Sequence, residues 1–141
     1  MKIAFYKADK GNFEDKFIGW ITKSPYSHCE LIFSDGISAS SSVRDAGIRF
    51  KYITYGDKWD IFQYTGNYLE SAAKQYFIHH DEDYYDRLGA FGSAFKKDWS
   101  SSGKQYCSYA CAKALGLNPV VSPGDFYKEL LKNKLIIPDT K

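Results

Sequence analysis

The sequence holds no run of about eighteen apolar residues, the least that a bilayer-spanning helix requires, so no segment is expected to cross a membrane. It also lacks any block of about five or six basic residues. Lys7, Lys10, Lys16, Lys23 and the Lys96-Lys97 pair are dispersed, and 19 Lys and Arg against 17 Asp and Glu leave a net charge of only +2. A nucleic-acid partner needs a basic stripe, so that class is set aside and the lysines read as solvated surface. The opening Met1-Lys2-Ile3-Ala4-Phe5-Tyr6 turns charged at Lys7 and Asp9, too soon for a secretory leader. The expected address is the cytoplasm of a cell, or of a phage-infected one. Cysteine is scarce and odd in number: Cys29, Cys107 and Cys111. A disulfide framework is therefore not expected, and free thiols are, one of them available for chemistry.

What is present fits one globular domain over residues 1–141, long enough to bury a core. Hydrophobic residues make up 44% and aromatics 18%, with 12 Tyr and 10 Phe, so the core should be aromatic-rich and some Tyr should line a groove.

Lys2 to Lys7 reads as a strand. Asn12 can cap a helix over residues 13–22, where Phe13, Phe17, Trp20 and Ile21 recur at helical spacing before Ser24-Pro25 stops it. Ser27 to Phe33, Ile37 to Ser42, Ile48 to Thr54 and Lys58 to Tyr64 are strand-like, parted by turn signals at Ser34-Asp35-Gly36, Asp45-Ala46-Gly47 and Gly56-Asp57. They predict an antiparallel unit of about four strands. The period then changes. Asn67-x-x-Glu70 has the capping-box pattern, opening a helix with Leu69, Ala72, Ala73, Tyr76, Phe77 and His80 on one face. Asp81-Glu82-Asp83 predicts a break, Tyr84 to Phe95 a partly helical stretch, and residues 100–103 a loop. Tyr106 to Leu115 predicts a helix stopped by Gly116. Ser122-Pro123-Gly124-Asp125 starts a last helix, and Leu135 to Pro138 is a short extended tail. The fold class is α+β.

Cys107 is the first candidate for chemistry. In the first turn of its predicted helix it would meet unpaired amides and the positive end of the dipole, which favour a thiolate. The amides of Cys107 and Ser108 could there hold an oxyanion. The competing reading is packing: Cys107, Cys111, Ala114 and Leu115 lie at i, i+4, i+7 and i+8, a core face on which cysteine is a good small residue. His28 is the second candidate. On a strand, His28 and Glu30 share a face and Cys29 turns to the other. Glu30 could fix the imidazole's tautomer and stabilise its cation, and a positioned imidazole is what a thiol nucleophile needs. The competing reading is a solvated His-x-Glu surface pair.

Taken in order, with the sheet residues first and the cysteine helix later, the chain resembles the circularly permuted papain-like hydrolases, the YiiX-like branch of the NlpC-type superfamily related to lecithin–retinol acyltransferase. Ser27-His28-Cys29-Glu30-Leu31 is similar to that family's histidine strand. Ser38-Ala39-Ser40 and Arg44-Asp45-Ala46-Gly47-Ile48-Arg49 resemble its next hairpin, and Tyr85-Asp86-x-Leu88-Gly89 its pre-catalytic helix. Tyr106-Cys107-Ser108 resembles its nucleophile turn. Ala114-Leu115-Gly116-Leu117 and Ser122-Pro123-Gly124-Asp125-Phe126-Tyr127 are similar to its C-terminal segment.

The resemblance implies a small antiparallel sheet packed on the nucleophile helix. It implies attack by Cys107 on an acyl carbon with His28 as base, through a thioester, on a peptide, isopeptide or other acyl substrate and without a cofactor. Glu30 is the expected orienting group, with Ser40 or Asp45 as alternatives, and Tyr6, Ser108 and Tyr106 are candidates for the oxyanion site or groove wall. Tyr109 stands where the family often has Glu. Two other functions are weighed against this one: a non-catalytic binding module on the same fold, and a lipid acyltransferase or lipase. Metal binding is not expected. His79 and His80 point about 100° apart on a helix, and the Cys107-x-x-x-Cys111 spacing is helical, not a zinc knuckle. His80 is expected to be a packed ring with one nitrogen satisfied. Gly89-x-x-Gly92 lacks the strand and Lys-Ser/Thr of a phosphate loop, and Trp20, Trp59 and Trp99 are read as core or groove wall.

Overall fold

Alternation along each extended segment decides which residues enter the core, and the strands pair so that one face of a sheet is covered by helices. The computed structural model describes residues 1–11, 23–42, 45, 47–91, 102–120 and 122–140, with side chains described at all of these except 81–91 and 102–106. The expected helix over 13–22, with Trp20, and the segment holding Lys96, Lys97 and Trp99 lie outside the described residues.

Six strands are found among the described residues: β1 (Lys2–Lys7), β2 (Tyr26–Ile32), β3 (Ile37–Ser42), β4 (Gly47–Tyr52), β5 (Trp59–Tyr64) and β6 (Ile136–Pro138). Three α-helices are described: α1 (Glu70–Phe91), α2 (Ser102–Ala114) and α3 (Pro123–Lys132). The strands form one antiparallel sheet in the order β4-β3-β2-β1-β5-β6. The expected four-strand unit thus grows at both ends of the chain. β1 inserts between β2 and β5, and the C-terminal tail adds β6 beside β5. Neither pairing is local, so neither leaves a turn signal to read.

Turn chemistry fixes the hairpins. Gly36 takes φ +82 between β2 and β3, and Asp35 accepts the amide of Ile37 at 3.0 Å, closing the turn. Ser122 caps α3 by accepting the amide of Asp125 at 3.1 Å, with Pro123 at the first helical position as expected.

The long first helix differs from expectation. It runs unbroken through Asp81-Glu82-Asp83 to Phe91. Acidic side chains interrupt an apolar pattern, yet their backbones extend a helical ladder as well as any. Ala73 and Phe77 are fully buried, but Leu69 precedes the helix and is 69% exposed. Glu70 makes no capping box. Its carboxylate accepts from the amide and hydroxyl of Ser34, at 2.8 and 2.6 Å, and pairs with the N-terminal ammonium at 3.2 Å. A through-space cation and two donors outcompete one local amide. His80 meets expectation: its Nδ1 donates to the carbonyl of Tyr76 at 2.8 Å, and its ring stacks on that of Tyr76.

The core lies between the sheet and the helices. Phe5 is its centre, with ring centroids 5.0 Å from Tyr26, 5.9 Å from Phe126 and 5.5 Å from Tyr127. Helix α2 packs across β2 and β3, and α1 across β4. That arrangement sets Cys107 and Cys111 against the strand that carries His28.

Candidate active site

Two irregularities of β2 build the site. The first is a bulge. Tyr6 opposes His28 and Lys7 opposes Tyr26, so Ser27 is an extra residue in the ladder. Bulges increase local twist and re-aim the side chains beside them. Tyr26 is thereby turned onto the core with Phe5, while Ser27 is buried with a hydroxyl that has no hydrogen-bond partner among the described residues. The second is a splay. β2 and β3 are in register only at Leu31 with Ala39 and Ile32 with Ser38. Beyond that point the Cys29 carbonyl, deprived of a strand partner, accepts from the Ser40 hydroxyl at 2.7 Å and from the Cys111 thiol at 3.8 Å. The Cys29 amide donates instead to the sulfur of Cys107.

At this opening Cys107 and His28 meet. Residues 79 positions apart are joined by a hydrogen bond and a charge interaction between thiol and imidazole. His28 Nε2 is engaged by Glu30 Oε1 at 2.8 Å, which leaves Nδ1 as the ring nitrogen available to the sulfur. Glu30 is fully buried, and Arg49 on β4 reaches both its oxygens: Nη2 bonds Oε1 and Nη1 lies 3.3 Å from Oε2. Asp45, on the turn before β4, pairs with Arg49 Nε at 2.5 Å. A continuous line of polar contacts runs from the helix sulfur through imidazole, carboxylate and guanidinium to the rim of the sheet.

The electrostatics follow from those contacts. Burial pulls the His28 imidazole down, but the charge and hydrogen bond of Cys107, followed by those of Glu30, push it up to about 10. For Cys107, the hydrogen bond from the Cys29 thiol leads, opposed by burial. The charge and hydrogen bond of His28 and the Cys29 amide add to it and hold the thiol well below its ordinary range. Cys29 moves the other way: burial and its contacts with Cys107 and Cys111 push its thiol up, so it stays a donor. The His28 and Cys107 shifts both favour a thiolate beside an imidazolium.

The expected alternatives to Glu30 are placed elsewhere. Ser40 serves the Cys29 carbonyl, and Asp45 serves Arg49. The oxyanion expectation is also corrected. Helix α2 begins at Ser102, inside the stretch expected to be a loop, so Cys107 is its sixth residue and lies in the second turn. Amides there are spent on carbonyls one turn back, so those of Cys107 and Ser108 are not free for an oxyanion. The Ser108 hydroxyl is buried and donates to the Val120 carbonyl at 3.2 Å, tying α2 to the following loop. The Tyr106 side chain lies outside the described residues. Tyr6 stands across from His28 on β1, half-buried, its ring 5.0 Å from that of Trp59. Trp59 is in turn edge-on to Tyr55 and 6.3 Å from the His28 ring. These aromatics wall the histidine side of the site, where the His28 side chain keeps 23% of its surface open while Cys107 keeps 1%.

Two members of the site went unread in the sequence. From the sequence Cys29 reads only as facing away from His28, and Arg49 only as part of a hairpin motif. The one signal for Cys29 is its place between His28 and Glu30. For Arg49 there is a second, a cation beside an acid in Asp45-x-x-x-Arg49. Compared with protein-family models, curated proteins and solved structures, the chain finds no match. Among the described residues no helix is long and apolar enough to cross a membrane.

Proposed function

We propose that this chain is a cysteine hydrolase with the permuted papain-like arrangement, in which Cys107 is the nucleophile, His28 the general acid–base and Glu30 its orienting group. The observation that carries the reading is the contact of a buried sulfur on a late helix with an imidazole on an early strand, the imidazole being held from behind by a buried carboxylate. The order of elements, with the histidine strand before the cysteine helix, supports the permuted form.

In the first half-reaction the Cys107 thiolate attacks the carbonyl carbon of an amide and forms the C–S bond. As the C–N bond breaks, His28 Nδ1–H gives its proton to the departing amine. In the second half, neutral His28 takes a proton from water while the water oxygen attacks the thioester carbon. The C–S bond breaks, the acid leaves, and thiolate and imidazolium are restored. The substrate class is a peptide or isopeptide amide in preference to a lipid ester. It reaches the sulfur past His28 and the Tyr6–Trp59 wall, with the Tyr6 hydroxyl as a side-chain donor to the oxyanion.

The test is a panel of acyl amides and esters, followed by intact mass and peptide mapping. An acyl adduct on Cys107 in the wild type, abolished in Cys107→Ala and with turnover lost in His28→Asn, is expected. Turnover that survives Cys107→Ala would remove the proposal. Absence of both adduct and turnover across the panel would instead leave a non-catalytic module, the reading favoured by the 1% exposure of Cys107.

A further inference from the structure

Glu30 presents a problem that its two neighbours on β2 do not solve. A carboxylate with no exposed surface is costly as an anion unless it is paired and fully hydrogen-bonded. His28 offers it one contact, and offers a charge only while the ring is protonated. In the catalytic cycle that proton departs with the leaving amine, so at mid-cycle His28 cannot be the countercharge. A permanent cation is required, one whose geometry leaves Glu30 pointing at Nε2.

Arg49 has that position. Its fork covers both oxygens of Glu30, and an arginine does not lose its charge in any accessible pH range. Its Nε side is held by Asp45. Ser40 and Arg49 face each other across β3 and β4, so the register of that hairpin delivers the guanidinium to the level of Glu30. We propose that Arg49 is a positioning residue of this site: anchored by Asp45, it keeps the buried Glu30 carboxylate aimed at His28, and through His28 it supports the Cys107 thiolate. The inference rests on the dyad reading of Cys107 and His28. The titratable or charged groups facing Glu30 and His28 are Arg49 on β4, Asp45 on its turn, Cys107 on α2, Tyr55 in the β4–β5 loop, Tyr6 on β1 and Cys29 between them on β2.

Without Arg49 the buried Glu30 loses the fork that holds it at Nε2, His28 loses its fixed acceptor, and the thiolate of Cys107 loses the support of its partner. The readout is the ultraviolet thiolate absorbance of the full chain followed against pH, as the difference from the same variant carrying Cys107→Ala. In Arg49→Met the Cys107 midpoint is expected to rise by about one pH unit, roughly tenfold in thiolate fraction on its acid side. Arg49→Lys, which keeps a charge but cannot span two oxygens, should fall between Arg49→Met and wild type. It should also lower kcat with KM little changed. Glu30→Gln with Arg49→Met should titrate with Glu30→Gln alone, because Arg49 acts through Glu30.

A wild-type midpoint in Arg49→Met, or an Arg49→Met shift of full size in the Glu30→Gln background, would overturn the proposal. If Arg49→Met does not fold, Arg49→Lys decides: a raised midpoint supports the role and a wild-type one overturns it. His28→Asn separates the two levels. If it leaves the midpoint unmoved, the dyad reading fails and this inference with it; if it moves the midpoint while the Arg49 variants do not, the dyad stands and only Arg49 is wrong.

Discussion

Cys29 shows most directly how a side chain outside the dyad can set its chemistry. Its thiol is kept protonated by burial and donates to Cys107, and its amide donates to the same sulfur. Cys29→Ser keeps a donor of similar size, whereas Cys29→Val fills the space without one. The serine variant is therefore expected to hold the low Cys107 midpoint and the valine variant to raise it, as read by thiolate titration. The pH dependence of turnover follows from the two opposite shifts. In the proposed reaction Cys107 must be deprotonated to attack, and its lowered pKa places the acid limb well below the ordinary thiol range. On the same proposal His28 must be protonated to release the amine, and its raised pKa places the alkaline limb at about 10. Steady-state kcat/KM should show a broad plateau through neutrality, with loss at high pH even though the thiolate persists there. A profile that climbs steadily to alkaline pH would assign the proton transfer to another group.

At the scale of elements, what is local was legible and what is long-range was not. β1 falls at the bounds that its apolar, aromatic run predicts, β3 at those expected after the Ser34-Asp35-Gly36 turn, and Ser122-Pro123 starts α3 where capping chemistry requires. Asp81-Glu82-Asp83 is polar without being a break, because periodicity reports burial and a helix can continue without it. Glu70 departs from the capping-box pattern because its partners, Ser34 and the N-terminus, are distant in sequence. The start of α2 mattered most. Placing it at Tyr106 put Cys107 among free amides, whereas a start at Ser102 makes the strand amide of Cys29 the backbone donor to the sulfur. The stop of that helix was legible: Gly116 takes φ +68, and a Cβ there would lie 2.8 Å from the Tyr68 ring. Gly116→Ala is expected to cost about 1–2 kcal/mol from the left-handed backbone alone, measured by chemical denaturation. Because α2 carries Cys107, a loss of turnover larger than the loss of folded protein should accompany it.

Over the whole molecule, the sequence indicates an α+β chain with an aromatic core, and the structure is that: one antiparallel sheet of six strands, covered by helices and centred on Phe5. His28, Glu30 and Cys107 were each legible as reactive types in suggestive places. Their meeting was not, since it depends on a bulge at Ser27 and on the parting of β2 from β3, neither of which has a sequence pattern of its own. The fold turns a strand defect into a site by leaving one amide, one thiol and one imidazole around a single sulfur. The most direct test of that claim is the ultraviolet titration of the Cys107 thiolate in the intact chain, with Cys107→Ala subtracted to cancel the tyrosines. The account predicts thiolate already present at neutral pH and a midpoint displaced upward by His28→Asn; a thiolate forming only in the ordinary range of a free thiol, about 8.5, and indifferent to His28 would contradict it.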